Sequence, residues 1–158
     1  MPVTQDEFRA ALSRFPSGVT VVTTRDSLER LYGITVSAFC SVSLDPPLIL
    51  VCIEKTTGSH RALSESRAFV VNILAAGQQE VSEHFASLND DKFTVVKYRQ
   101  SGRGLPVLED VAVNLECKLF AEHDGGDHTV FVGLVEEVHV HELEPLVYFH
   151  GDYYLVGR

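Results

Sequence analysis

After Thr4 and Glu7, apolar residues recur at Phe8, Ala11, Leu12 and Phe15. That spacing predicts an amphipathic helix over 4–14, opened by a Thr4/Glu7 capping box and stopped at Pro16-Ser17-Gly18. Val19 to Thr24 is almost wholly β-branched, which suits a pleated surface and predicts a strand. A charged turn follows at Arg25 to Arg30. Tyr32 to Leu44 then mixes β-branched with small hydroxyl residues until Pro46-Pro47 breaks the run. Leu48 to Ile53 is apolar throughout and too short for a helix, so it predicts a buried strand. A short helix is expected over 59–66, opened by Ser59, then a strand from Phe69 to Leu74. A second helix is expected from Gln78 to Phe85, with Val81, Phe85 and Leu88 on one face. Asn89 to Leu105 turns polar and reads as an exposed excursion.

The clearest alternation places Val111, Val113, Leu115, Cys117, Leu119 and Ala121 on one face. Asn114, Glu116, Lys118 and Glu122 fall on the other, a period of two that predicts a half-buried strand. The turn at residues 123–128 leads into Thr129 to His141, giving a long β-hairpin. Leu146 to Phe149 and Tyr153 to Val156 close the chain as short strands about His150-Gly151-Asp152. Six to eight strands joined by links too short for parallel crossovers predict a mainly β, closed, mostly antiparallel barrel with two or three flanking helices. No repeat or linker divides the 158 residues, so one domain over residues 1–158 is expected.

Composition changes this picture only by narrowing function. With 22 acidic against 13 basic side chains and a net charge of -9, no nucleic-acid or membrane partner is expected. No apolar run reaches the roughly 18 residues of a membrane span. Residues 1–7 lack a basic patch leading into an apolar stretch, so the cytoplasm is the expected location. Cys40, Cys52 and Cys117 are an odd set that fits neither a disulfide framework nor a zinc knuckle. His139 and His141 alternate with Val138 and Val140 and are expected to face solvent, and no metal site is assigned. Dinucleotide-fold, phosphate-loop, zincin and nucleophile-elbow motifs are missing.

Two segments remain as candidate chemistry. From Gly33 to Pro47, small hydroxyl and small apolar side chains are packed ahead of a rigid double proline. Such residues let a flat ligand approach the backbone, while amides and hydroxyls bond its rim; an ordinary core strand with a wet Ser/Thr face would read the same way. At the hairpin tip, Gly125-Gly126-Asp127-His128-Thr129 pairs permissive glycines with a histidine at the barrel mouth, where ligand sites collect. A plain turn with a solvated histidine is the alternative there.

Thr35-Val36-Ser37-Ala38-Phe39-Cys40-Ser41-Val42-Ser43-Leu44-Asp45-Pro46-Pro47 followed by Gly126-Asp127-His128 resembles the short-chain flavin reductases. These are split-barrel flavin-binding proteins that supply reduced flavin in two-component monooxygenase systems, and the resemblance runs from Phe8 to Tyr154. It implies that Thr35, Val36, Ser37 and Ala38 lie along FMN or FAD, with Ser41, Val42 and Ser43 at the ring edge. Cys52, Ile53, Lys55, Thr57, Ser59 and His60 match the turn and helix start near the ribityl chain and phosphate, which a helix amino terminus suits. Asn72 matches a polar strand position, and Gly126, Asp127 and His128 match the motif that holds NADH or NADPH against the flavin. Tyr153 matches the family's Gly-Arg-Tyr, although Asp152 stands here in place of the arginine. The resemblance also implies a homodimer and an oxygenase that receives reduced flavin by diffusion. A tight flavin-binding redox module without turnover stays open. So does a split-barrel enzyme acting on another small organic acceptor.

Overall fold

The structure is a computed structural model that describes residues 2–89 and 91–157. Met1 and Arg158, at the ends of the expected domain, and Asp90, within the expected excursion, lie outside the described residues. In chain order the elements are α1 (Gln5–Leu12), β1 (Ser17–Gly18), β2 (Thr20–Arg25), β3 (Leu31–Val36), β4 (Phe39–Ser43), β5 (Leu48–Glu54), α2 (Gly58–Ser66) and β6 (Ala68–Ile73). Then follow α3 (Gln79–Ala86), β7 (Tyr98–Gln100), β8 (Pro106–Leu108), β9 (Val113–Gly125), β10 (His128–Val140), β11 (Val147–Phe149) and β12 (Asp152–Tyr154).

Seven strands form an antiparallel sheet in the order β3-β2-β6-β9-β10-β5-β4. β3 and β4 are successive in the chain yet occupy opposite edges. The expected single run Tyr32 to Leu44 is therefore two strands, and only Ser37 and Ala38 join them. Thr20 Oγ1 donates to Val36 O at 2.7 Å on one side of this link. On the other, Cys52 N donates to Ala38 O at 3.0 Å. The two edges meet there and the sheet closes into the predicted barrel.

Its interior is an apolar cluster that includes Val22, Val51, Ile53, Phe69, Val71, Leu119 and Phe131, with Leu63 of α2 plugging one end. A second cluster gathers Val19 and Val21 with Phe85 of α3, Leu108, Val111 and Leu146. β2 is thus buried on both faces, which explains its unbroken β-branched run. Its hydroxyls are satisfied by carbonyls: Thr23 Oγ1 donates to Pro106 O at 2.6 Å and Thr24 Oγ1 to Ala68 O at 2.8 Å.

Several expectations shift. α1 starts at its predicted capping box, but none of its residues is buried. α2 is capped by Thr57 rather than Ser59. α3 ends at Ala86, so Leu88 lies beyond the helix and is fully exposed instead of sharing a face with Val81 and Phe85. Residues 89–105 are not a free excursion. Phe93, Val96 and Tyr98 pack on the second cluster, and β7 pairs with β8.

The hairpin turn is only Gly126-Asp127, with Gly125 facing His128. Positive φ falls at Gly126, as a two-residue turn with glycine first requires. β12 spans Asp152–Tyr154, so Leu155 and Val156, expected within the last strand, lie beyond it. Asn114, expected on the wet face of β9, is buried.

Asn114 is buried because it shares a polar knot with Asn72. Asn72 Nδ2 donates to Val21 O and Thr23 Oγ1, while its Oδ1 accepts from Leu108 N and Asn114 Nδ2. This one amide ties β2, β6, β8 and β9 together. Asp26 makes a similar knot at the β2–β3 turn. Burial opposes its ionisation, but the backbone N–H groups and guanidinium of Arg30, with Leu28 N, outweigh that and hold its carboxyl below the usual range.

Asn72→Ala strips partners from buried donors at Leu108 and Asn114, and unsatisfied groups of this kind cost about 1–3 kcal/mol each. A loss of about 2–5 kcal/mol in urea unfolding is expected; a change under about 0.5 kcal/mol would contradict the knot. Because the Asp26 carboxyl is lowered on folding, its stabilisation is present above pH of about 4 and fades as pH falls through the lowered value. The stability gap between wild type and Asp26→Asn should accordingly be widest near neutrality and shrink below pH of about 4. A gap that widens in acid would reverse the assignment.

Candidate active site

Three segments converge where β5 ends. Glu54 of β5 pairs with His128 of β10, which brings the hairpin tip beside the turn leading into α2. Lys55 N donates to Asp127 O at 2.9 Å, and Lys55 Nζ pairs with Asp124. His128 Nδ1 is hydrogen-bonded to Asp127 Oδ1 at 2.6 Å. That bond, with the histidine's charge beside it, holds the Asp127 carboxyl below the usual carboxylate range. Thr57 Oγ1 donates to Glu54 O at 2.8 Å and accepts from His60 N at 3.2 Å, fixing the turn to the helix it caps.

Beside this junction lies a cleft of about 500 Å³. Its walls are Leu31 to Ile34 of β3, the turn from Glu54 to Ser59, and the end of α3 with the chain beyond it. Gly33 is required: a Cβ there would stand 2.5 Å from the Phe85 ring. Lys92 Nζ donates to Gly33 O and to Phe85 O, both at 3.0 Å, and His84 Nε2 is hydrogen-bonded to Lys92 O at 2.9 Å. These bonds clamp the segment after α3 against β3 and hold the cleft open.

The predicted ligand bed lies next to the cleft, not within it. Ser37 and Ala38 at the edge-to-edge link are exposed, as are Ser41 and Val42; Ser43 is half-buried. Cys52 bonds Ala38 through its backbone and pairs with Val130, and Glu54 pairs with His128 two residues further along β5. A continuous outer strip therefore runs from Ala38 to His128. Burial, with Cys40 nearby, pushes the Cys52 thiol up, so it stays protonated at neutral pH. Thr35 Oγ1 donates to Ser82 O at 2.6 Å, and Ser82 Oγ is hydrogen-bonded to Tyr153 OH at 2.8 Å. Thr35 and Tyr153 thus meet on α3. Thr57 and Ser59 line the cleft.

Other expected residues are turned elsewhere. Val36 and Ile53 point into the core. Asn72 sits inside the barrel wall with every polar atom committed to protein partners. His60 faces Phe131 and Thr129 Oγ1, the latter at 2.8 Å, and is absent from the cleft walls. Lys55 serves the hairpin through Asp124. Sequence reasoning missed Tyr32, Leu88, Lys92 and Phe93, all of which line the cleft, while Gly33, the first residue of the candidate segment, lines it too. The adjacent Tyr32-Gly33 at the strand start was the one usable signal, since an interior strand glycine often marks a close approach.

His139 and His141 do not share one environment. His139 Nε2 is 2.8 Å from Glu116 and 3.5 Å from Glu137, while His141 bonds Asn114. Arg99 lies 3.7 Å from Glu116, so the Glu116–Glu137–His139 group is part of an ion-pair network.

The sequence model of the flavin reductase like domain matches residues 12–157. The chain is 40% identical over 161 residues to an NADH-dependent flavin reductase from a Rhodococcus species, covering 99% of this chain and 90% of that protein. It is 39% identical over 150 residues to the reductase subunit of a flavin-dependent monooxygenase from Mycobacterium tuberculosis, covering 92% of this chain and 79% of that protein. The NADH:FAD oxidoreductase of Streptomyces globisporus, solved with NAD and FAD fragments, superposes with a TM-score of 0.94 at 33% identity, covering 99% of this chain and 95% of that one. Split barrel, small-residue bed and glycine-aspartate-histidine tip thus occur together in a chain that belongs to the flavin reductase-like family.

Proposed function

We propose that this chain is a flavin reductase that passes a hydride from NADH to FMN or FAD and releases the reduced flavin to a partner monooxygenase. The observation that carries this reading is the continuous strip from Ala38 through Cys52 and Glu54 to His128, which joins the bed, the cleft and the hairpin tip. The hydride chemistry belongs to the two nucleotides. Position is what the protein contributes.

Ser37, Ala38, Ser41, Val42 and Ser43 offer small side chains and exposed backbone to the flavin ring. Thr57 and Ser59, at the start of α2, suit the polar tail. The donor set fits: amides and hydroxyls for a planar heterocycle, and a capped helix start for an anion. His128, with Gly126 and Asp127, positions the nicotinamide. NADH is the donor in this reading. The names of the Rhodococcus relative and of the NADH flavin reductase of Kitasatospora aureofaciens support the same donor.

The chain works as one domain over residues 1–158 and as a homodimer. Phe8 and Leu12 are 60% and 53% exposed on a helix without a buried residue, Phe15 just beyond it is 77% exposed, and a second copy would cover these side chains. Three free cysteines suit the reducing cytoplasm.

Under anaerobic conditions, purified protein with NADH and excess flavin should oxidise many equivalents of NADH per chain, read at the nicotinamide band. A single equivalent would instead mark a tight flavoprotein, and no oxidation with NADH or NADPH and either flavin would sink the reductase reading. His128→Ala should raise KM for NADH about tenfold, equivalent to about 1.4 kcal/mol of lost positioning. A rise confined to the flavin KM would place His128 on the wrong nucleotide.

A further inference from the structure

The cleft lies beside the bed on which the flavin ring is proposed to rest. Residues 35–43, the bed, contribute nothing to its walls, so a ring on the bed leaves about 500 Å³ beyond the Thr57 turn for another part of the ligand. That space is bordered by the aromatic side chain of Tyr32 and by a fully exposed Leu88 on the segment beyond α3. An apolar side chain left wholly in water at the rim of a cleft is suited to covering a planar, apolar face.

Tyr32 is also unusually well fixed for a half-buried tyrosine. Its hydroxyl accepts from Arg61 Nη2 at 2.7 Å and donates to Asp26 Oδ2 at 3.3 Å. The Arg61 guanidinium carbon stands 5.5 Å from the ring centroid. Gly58, the first residue of α2, lets the ring sit against the helix start, for a Cβ there would be 2.9 Å from Tyr32 Cε1. Asp26 is itself locked by Arg30 and Leu28, so the ring is anchored through a buried carboxylate to the β2–β3 turn. A flat ring held from behind, bordering a cleft next to a turn suited to phosphate, matches the requirements of a purine: two apolar faces with a polar edge, here within reach of Asn89 and Glu54 on the same walls.

Resting on the reading that flavin occupies this region, we propose that Tyr32 is the platform on which the adenine of FAD stacks, covered by Leu88, with Arg61 as its positioning residue. FAD is then preferred over FMN, which lacks the adenine. The same base occurs in NADH, and the test must separate the two sources.

Steady-state KM values for FAD, FMN and NADH are to be measured in wild type, Tyr32→Ala, Tyr32→Phe and Arg61→Met, alongside direct flavin binding by fluorescence quenching without NADH. Stacking of a base on an aromatic ring is worth roughly a tenfold change in affinity or more. The ratio of KM for FAD to KM for FMN should rise about tenfold in Tyr32→Ala and less in Arg61→Met and in Tyr32→Phe, which keeps the ring but loses its hydroxyl anchors. Added AMP should compete with FAD and be a poorer competitor in Tyr32→Ala. An unchanged ratio overturns the platform, and so does a rise in the NADH KM alone, which would give the adenine to the other nucleotide. A merely structural role would lower Tm without moving the ratio. If wild type binds FAD more tightly than FMN by fluorescence quenching, Tyr32→Ala abolishes that preference, and no NADH is oxidised, the reductase reading falls and the adenine platform stands. Turnover with both flavins and an unshifted ratio removes the platform and keeps the reductase.

Discussion

A two-residue link between strands at opposite edges of one sheet is the constraint from which the rest follows. Ser37 and Ala38 must carry the chain from β3, hydrogen-bonded to β2, to β4, hydrogen-bonded to β5. So short a link leaves no room for a crossover, and the seven-stranded sheet has to curl until its edges touch. Curling seals the apolar interior, and it also leaves the link itself on the outer surface. The small residues that a flat ligand requires therefore stand exposed at the seam itself. Fold closure and ligand bed draw on one set of residues.

The wall behind the bed is kept rigid by buried polar groups as well as by apolar packing. Asn72 links four strands with bonds that all go to protein, and the Thr side chains of β2 cap carbonyls of neighbouring strands. Buried networks of this kind are costly when incomplete and specify a single arrangement when complete. Gly133 adds a steric counterpart: a Cβ there would lie 2.6 Å from Phe69 Cζ, so β10 bends past the core at a position only glycine can fill. The hairpin tip inherits this rigidity through the Glu54–His128 pairing.

What could be read from the sequence was whatever depends on local period and local turn chemistry. The β9–β10 hairpin, the capping box of α1 and the apolar strands β5 and β6 all carry their own signals. The split of residues 32–44 into two strands at opposite edges does not, because it is set by pairing with β2 and β5 far along the chain. Residues 89–105 misled for a related reason. Their polar composition suggests solvent, yet Lys92 spends its charge on two backbone carbonyls and Phe93 and Tyr98 reach the second core, so single side chains decide the placement. His60 and Lys55 were matched to the turn and helix start beside the cleft but are absent from its walls, since motif position fixes the backbone and neighbouring elements fix the side chain. Tyr32 went unnoticed because its partners Arg61 and Asp26 are brought to it by α2 and the β2–β3 turn.

A reductase whose product must leave faces opposing demands, and the distribution of contacts separates them. Hydride transfer needs two flat rings in register and little water between them, whereas release needs a ring that is not enclosed. The bed is exposed and built from small residues, so on the proposed reading it would orient a ring without burying it, and the nicotinamide, when stacked, would become the other cover. Holding strength would then fall to the far end of the nucleotide, in the cleft behind Thr57, where a grip does not obstruct the reacting face. Separating grip from chemistry in this way lets affinity be tuned by substitutions around Tyr32 without disturbing the geometry between Ala38 and His128. It also accounts for a site whose described residues form no catalytic triad: a surface that only has to align two cofactors asks for backbone, small side chains and one well-placed histidine.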